Sequence, residues 1–207
     1  SLKSNVAPTF IYKSHSPTVV KRRYVEQYMV SKLLEIYEMN DALLNEREEE
    51  EFCAALEARL PNCDVVIVAD FGHGLITPRV VDFLVDKARF LAVNTQINAA
   101  NVGFHTISKY KRADYICIHE GEIRLEHRSR HGELGTLVVD LARRLSCKTI
   151  MVTRGNLGTM LFREGEGVHE CPALAVKVVD RIGAGDAVLA VTSLCAVGLV
   201  FRHLLRN

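Results

Sequence analysis

The 207-residue sequence has no tryptophan and only five prolines. Neither a Trp-anchored binding surface nor a Pro-rich scaffold is open to it. It also lacks an excess of charge: 26 Lys and Arg face 25 Asp and Glu, a formal net charge of +1. Nucleic-acid binders present a net basic face, so that class of partner is excluded. No basic flank followed by an apolar stretch opens the chain, and no secretory signal is read there. Residue 1 is Ser, and the start reads as an internal piece of a longer chain. The longest apolar stretch, Ala187 to Phe201, is interrupted by Thr192, Ser193 and Gly198. It is too short to span a bilayer comfortably and suits a buried helix, so no membrane partner is expected. The six cysteines form no CxxC and no close pair, which is neither the clustering of a zinc site nor a disulfide scaffold. These absences point to a cytoplasmic protein.

What is present is a 48% hydrophobic chain, ample for one domain with a real core. Residues 1–44 differ in texture from 45–207 and read as a β-rich lid segment ahead of an α/β core. Thr9 to Tyr12 and Pro17 to Val25 look like strands. Lys32 to Glu38 suits a strand or a helix, and periodicity does not decide. The triplet Lys21-Arg22-Arg23 is open to two readings, a contact to substrate phosphate or an edge strand guarded by charge. On an alternating strand the three cannot all face one way.

From Asn45 the signals sharpen. Asn45 is an N-cap, glutamates fill the first turns, and Phe52, Leu56 and Leu60 recur every four residues. The acidic run reads as a solvated helix start that complements the dipole, with a cation site as the alternative. Val65 to Ala69 is a continuous apolar run, expected of a strand buried on both faces. Thr77-Pro78 starts a helix carrying Val81, Leu84, Val85 and Ala88. Strands follow at Leu91–Val93, Asp114–Ile118 and Thr149–Val152, with helices over Glu120–Glu126 and Leu134–Leu145. A hairpin around Arg163–Gly167 and a strand over Ala175–Val179 precede the last long helix. Repeated strand–helix–strand units predict a Rossmann-like three-layer α/β sandwich with a mostly parallel sheet. Ligands of such sheets bind at the carboxyl ends of the strands.

The strongest motif lies at one of those ends: Asp180-Arg181-Ile182-Gly183-Ala184-Gly185-Asp186. A strand ends, small residues turn the chain, and a helix starts with a carboxylate in its first turn. Unpaired N–H groups at such a turn bind an anion, and glycine lets a phosphate approach the backbone. A carboxylate base beside that pocket suits phosphoryl transfer to a hydroxyl. A bare strand-to-helix turn is the bland alternative.

The full Asp-x-x-Gly-Ala-Gly-Asp, followed by Ala187-Val188-Leu189-Ala190, resembles the signature of the ribokinase-like, or PfkB, carbohydrate kinases. The resemblance implies ATP and Mg²⁺ as cofactors and a sugar or sugar phosphate as substrate. It assigns the base to Asp186 and the phosphate-holding amides to Gly183, Ala184 and Gly185, with Asp180 on the cofactor side. Thr153-Arg154-Gly155-Asn156-Leu157-Gly158 resembles the family's ATP-contacting Thr-x-Gly-x-x-Gly, which implies Thr153, Gly155 and Gly158. Taken alone, the segment suits a turn between two strands equally well. Asn94 is similar to the asparagine that closes a central strand near the active site. Amides at Gln96 and Asn98 add substrate candidates, with a merely polar loop as the alternative. His119-Glu120-Gly121-Glu122 falls where the family has Asn-x-x-Glu, implying Glu122 for magnesium through water. His119 departs from the pattern: an imidazole donates one hydrogen bond where an amide offers two donors and an acceptor.

A narrower resemblance lies upstream. Asp70-Phe71-Gly72-His73-Gly74 is similar to the Asp-Tyr-Gly-Lys-Gly of the heptose-phosphate kinases in that family, which implies Asp70 for substrate. Pro17-Thr18-Val19-Val20-Lys21 is similar to their lid strand. In that branch kinase and nucleotidyltransferase domains often share one polypeptide. Phe71 and His73 are departures, and the family fold carries additional segments before and after the stretch matched here. A non-catalytic, kinase-like binding module therefore stands as the alternative to an enzyme. The N-terminal β segment also invites pairing with a second copy.

Overall fold

The computed structural model describes residues 2–26, 32–98, 101–175 and 183–204. β1 (Val20–Val25) and β2 (Lys32–Glu38) pair antiparallel as a separate two-stranded sheet, which settles the strand-or-helix ambiguity of the second segment. The expected strand over Thr9 to Tyr12 does not form: these residues carry no regular structure. Among the described residues no strand lies alongside to take up its backbone groups, and Phe10 and Tyr12 stand exposed. The segment is instead a strap pinned by side chains. Lys13 Nζ donates to the carbonyl of Asn40 at 2.7 Å and to that of Ala42. Arg59 Nη2 donates to Thr9 Oγ1 at 3.2 Å. The basic triplet splits as alternation requires. Arg22 pairs with Glu38 at 2.8 Å and Arg23 with Glu35, while Lys21 Nζ lies 5.4 Å from the ring centroids of both Tyr37 and Phe71.

α1 (Glu46–Arg59) begins with a capping box, in which Asn45 Oδ1 accepts from Glu48 N–H and Glu48 Oε2 accepts from Asn45 N–H, each at 3.0 Å. The acidic run is therefore a helix start. Glu48 does more, because its Oε1 accepts from the Ser14 amide at 2.5 Å and ties the strap to α1. Hydrogen bonds from Ser14, then from Asn45, hold its carboxyl down to about 2, below the ordinary 4.5. A depressed folded-state value stabilises the strap above pH 4.5, and the effect is lost as pH falls toward 2. We expect the protection of the Ser14 amide, relative to its intrinsic exchange rate at each pH, to fall across that window, and Glu48→Gln to show the same loss at neutral pH. Protection indifferent to both would remove Glu48 as the tether.

The main sheet has six strands in chain order: β3 (Val66–Asp70), β4 (Leu91–Thr95), β5 (Tyr115–His119), β6 (Thr149–Thr153), β7 (Thr159–Arg163) and β8 (Gly167–Cys171). The first four run parallel, and β7 and β8 are the antiparallel hairpin read from the Arg163–Gly167 turn. Because the strand order follows the chain, right-handed crossovers put every connection on one face. There α2 (Pro78–Lys87), α3 (Glu120–Glu126) and α4 (Leu134–Arg144) bury the large core cluster of Val80, Leu84, Val93, Ile116, Ile118, Val138, Leu141 and Ile150. Thr77 caps α2 ahead of Pro78.

The opposite face has a single helix among the described residues, α5 (Ala184–Leu204). Leu189 and Ala196 share a smaller cluster there with Phe90, Ala92, Tyr115 and Cys117. That imbalance corrects two expectations. The Val65–Ala69 run is not buried on both faces: β3 is an edge strand in this sheet, and Ile67 is 40% exposed on the α5 side. Nor is the last helix buried all round, since Val191 and Leu194 face outward while Leu189 and Ser193 face the sheet. No helix among the described residues is long and apolar enough to cross a membrane. Of the strand expected over Ala175–Val179, Ala175 carries no strand and 176–179 lie outside the described residues.

Candidate active site

Register sorts the side chains at the carboxyl edge of the sheet. Ala69 pairs with Asn94, Asp70 with Thr95, and His119 with Thr153. Since strand side chains alternate, Asn94, His119 and Thr153 emerge on the α5 face and Asp70 on the opposite one. Tyr115, at the start of β5, donates to Thr192 Oγ1 at 2.6 Å. Phe90 and Val65, which precede β4 and β3, cluster with Ala196 and Val197 farther along α5. The helix therefore runs antiparallel to the strands, and its first turn heads for their carboxyl ends. Gly183, Ala184, Gly185 and Asp186 are all exposed there. Gly183 has φ +77, and, chain neighbours and the helix's own backbone aside, no atom of the described residues lies within 4 Å of where a Cβ would stand at Gly183 or Gly185. Asp180 lies outside the described residues.

His119 resolves its own departure. Its Nδ1 accepts from Gly121 N–H at 3.0 Å, so it caps α3 as an asparagine would. That bond puts the neutral ring's proton on Nε2, at the edge of the sheet. Glu122 completes the capping box by accepting from His119 N–H at 2.7 Å, and its other oxygen accepts from Ile97 N–H at 3.0 Å. Burial pushes its carboxyl above the ordinary range, against the pull of those two amides. Glu122 is thus a brace between the loop after β4 and the end of β5. Among the described residues no three His, Cys, Asp or Glu side chains gather as a metal site. The first turn of a helix can meet a phosphate through its unpaired N–H groups, and a magnesium ion carried by such phosphates would keep its waters and need few ligands from the chain.

Asp70 is 2% exposed. Its Oδ2 accepts from Tyr110 Oη at 2.7 Å and pairs with Lys109 Nζ at 2.5 Å, and its Oδ1 accepts from Gly72 N–H at 3.1 Å. His105 Nε2 donates to the Asp70 carbonyl at 2.9 Å. Burial, then the Asp70 charge, keeps the Tyr110 phenol protonated and donating by raising its pKa. This carboxylate organises the turn after β3 from below and does not share the open face with Asn94. Asn98 likewise works as scaffold: its Nδ2 donates to the Phe71 carbonyl at 2.9 Å, beside Asn101 Nδ2 at 3.1 Å. Asn94 Nδ2 donates to the Cys117 carbonyl at 2.6 Å, while Gln96 is exposed. The His105–Lys109–Tyr110 cluster had no signal in the sequence, because its members sit 35 to 40 residues from their partner.

The turn after β6 divides in two. Thr153 ends the strand and Gly155, at φ +59, has open space around it. Gly158 is buried at φ +88, where a Cβ would come within 2.0 Å of the Cys171 carbonyl. Only glycine fits that approach, so Gly158 shapes the loop from inside. Arg154 was not singled out from sequence, yet it bridges Glu120 at 3.3 Å and Glu170 at 2.9 Å. Burial opposes the charge of Glu120, but Arg124 and Arg154 outweigh it and hold its carboxyl below the ordinary range.

Residues 107–197 match the family model described as pfkB family carbohydrate kinase. The bifunctional protein HldE of Rhodopseudomonas palustris (strain BisA53) is 28% identical over 190 residues, 90% of this chain and 38% of that protein. The chain thus spans under two-fifths of the length of such a curated relative. Two solved structures share the architecture. Ribokinase from Giardia lamblia has a TM-score of 0.62 at 16% identity, covering 88% of this chain and 56% of that one. Arabidopsis thaliana ribokinase, complexed with ribose and ATP, gives 0.61 at 17% identity, covering 90% and 57%. The fold is ribokinase-like.

Proposed function

We propose, starting from a ribokinase-like chain with a pfkB carbohydrate kinase match, that it phosphorylates a hydroxyl of a sugar or sugar phosphate with ATP. One observation carries this reading: Asp186 stands exposed in the first turn of α5, beside Gly183 and Gly185, which are exposed as well. In this reading the Asp186 carboxylate takes the proton of the acceptor hydroxyl as its oxygen forms a bond to the γ-phosphorus. The bond from that phosphorus to the β–γ bridging oxygen breaks, and ADP leaves with the electron pair. Amides of the first turn donate to the transferring oxygens, where charge is spread. Magnesium, when bound, offsets phosphate charge. Thr153, Gly155 and the His119 edge face the nucleotide, while Asn94 and Gln96 face the acceptor. Glu122, Asp70, Asn98 and Gly158 hold the loops that carry them.

The same reading places the chain in the cytoplasm, consistent with six free cysteines, and within a longer kinase–nucleotidyltransferase polypeptide of the HldE kind. The test is ADP release with ATP, Mg²⁺ and a panel of hexoses, heptoses and their phosphates. Release that depends on acceptor supports the kinase. Nucleotide binding with no acceptor-dependent release would leave the binding-module alternative standing. We also propose pairing of two copies through the β1–β2 sheet, whose Leu33, Leu34 and Ile36 are exposed. Light scattering should read twice the 23.1 kDa chain mass, and a monomer reading would end that proposal.

A further inference from the structure

Between the strap and the turn after β3 lies a groove of about 470 Å³, walled by Tyr12, Pro17 and Val19 on one side and Phe71, His73 and Ile76 on the other. That volume is within the range of small-molecule sites. The Phe71 and His73 rings lie nearly parallel, at 10° with centroids 6.4 Å apart. They form an apolar wall on which the C–H face of a sugar ring can pack by dispersion. Among the described residues, His73 Nε2 is the buried side-chain polar atom left without a hydrogen-bond partner. Such atoms are rare in folded proteins, and each calls for an explanation.

Most charges around the groove are engaged, and the exception, Lys21, meets rings alone among the described residues. Lys13 is bound to the Asn40 and Ala42 carbonyls, and Lys21 is held between the Tyr37 and Phe71 rings. Arg22 and Arg23 pair with glutamates of β2, and Lys109 is held by Asp70. Burial, then the nearby Lys21 charge, pushes the His73 imidazole below its ordinary value, so the ring is held neutral; Asp41 and Asp70 oppose this more weakly. Among the described residues that line the groove, none forms the bidentate or multi-amide cradle that a phosphate ester needs. A neutral imidazole with an unmet hydrogen bond matches a hydroxyl instead. Nε2 is buried, so a hydroxyl reaches it only when the wall around the groove eases; among the described residues the strap on one side is pinned by the Lys13, Ser14 and Thr9 contacts.

We propose that His73 sets acceptor choice: its Nε2 bonds a hydroxyl of a sugar packed on the Phe71–His73 wall, and the groove selects an uncharged end of that sugar over a phosphorylated one. The term acceptor rests on the kinase reading, but the binding does not. The experiment follows the His73 ring resonances by NMR, without ATP, as mannose, fructose and sedoheptulose and their terminal phosphate esters are titrated in. We expect a neutral sugar to shift those resonances saturably and each ester to need about ten times the concentration, the worth of one hydrogen bond to a neutral group. His73→Phe keeps the stacking and should lose about tenfold in sugar affinity. His73→Lys should turn the preference toward the esters. Esters binding as well as neutral sugars, or His73 resonances that no sugar moves, would overturn the inference. Sugar binding with the expected preference but no acceptor-dependent ADP would sink the kinase reading alone. Turnover of sugar phosphates with His73 silent would sink this inference alone.

Discussion

Asp186→Asn lowers acceptor-dependent ADP release about 10²–10⁴-fold, the contribution of a positioned general base. The substitution keeps the size and the polar character of the side chain in the first turn of α5. It removes the carboxylate proposed to accept the hydroxyl proton. Nucleotide affinity should barely change, because in the proposed reading amides of the turn, and not this side chain, hold the phosphate. The expected signature is therefore a fall in kcat with the nucleotide Kd preserved, read by a coupled ADP assay beside a binding titration. Retention of full turnover would remove Asp186 as the base. A loss of nucleotide binding equal to the loss of rate would mean that the turn itself had been disturbed.

The second large effect concerns stability. Gly158→Ala should cost about 2–6 kcal/mol, the sum of backbone strain at a conformation confined to glycine and of overpacking against a rigid neighbour. The neighbour is the Cys171 carbonyl, 2.0 Å from the added methyl, with the Ala173 nitrogen at 2.7 Å. Both are backbone atoms and cannot swing away as a side chain would. For a chain of this length the Tm falls roughly 2–4 °C for each kcal/mol. Gly155→Ala is the control: its φ is also positive, at +59, but, chain neighbours aside, nothing among the described residues lies within 4 Å. It should cost about 1 kcal/mol, the strain of a left-handed residue alone. Equal melting temperatures for the two variants would refute the close approach. The pair also separates a glycine that shapes the loop from one that leaves room for a ligand, a distinction that the Thr-x-Gly-x-x-Gly spacing cannot make.

Much of the fold was legible because its signals are local. Asn45 and Thr77 read as N-caps, and the structure shows their side chains accepting from Glu48 N–H and Val80 N–H. The β7–β8 turn was marked by the glycines around Arg163–Gly167, and the helices expected over Glu120–Glu126 and Leu134–Leu145 form as Glu120–Glu126 and Leu134–Arg144. The strand misread at Thr9–Tyr12 had the right residue types but no neighbour to pair with, and a strand without a ladder is not stable. Val65–Ala69 was misjudged because an apolar run does not say which strand will lie at an edge.

The candidate site divides in the same way. That Asp186 heads a glycine-lined turn is a property of seven consecutive residues, and the chain states it without help from the rest of the molecule. The capping roles of His119 and Glu122 in α3 are equally local, since a spacing of three closes the box, but the resemblance drew both residues toward nucleotide and magnesium instead. The inward side of Asp70 depended on register and on Lys109 and Tyr110, about forty residues away. The obligate glycine at 158 depended on the end of β8, and the unpaired nitrogen of His73 on a groove built partly from the strap. Local hydrogen bonding and side-chain periodicity act within a few residues, so composition and spacing determined the elements and the first turn of α5. Burial and close approach arise only when distant segments meet, so the tertiary structure alone decided which polar side chains brace the loops and which are left to meet a ligand.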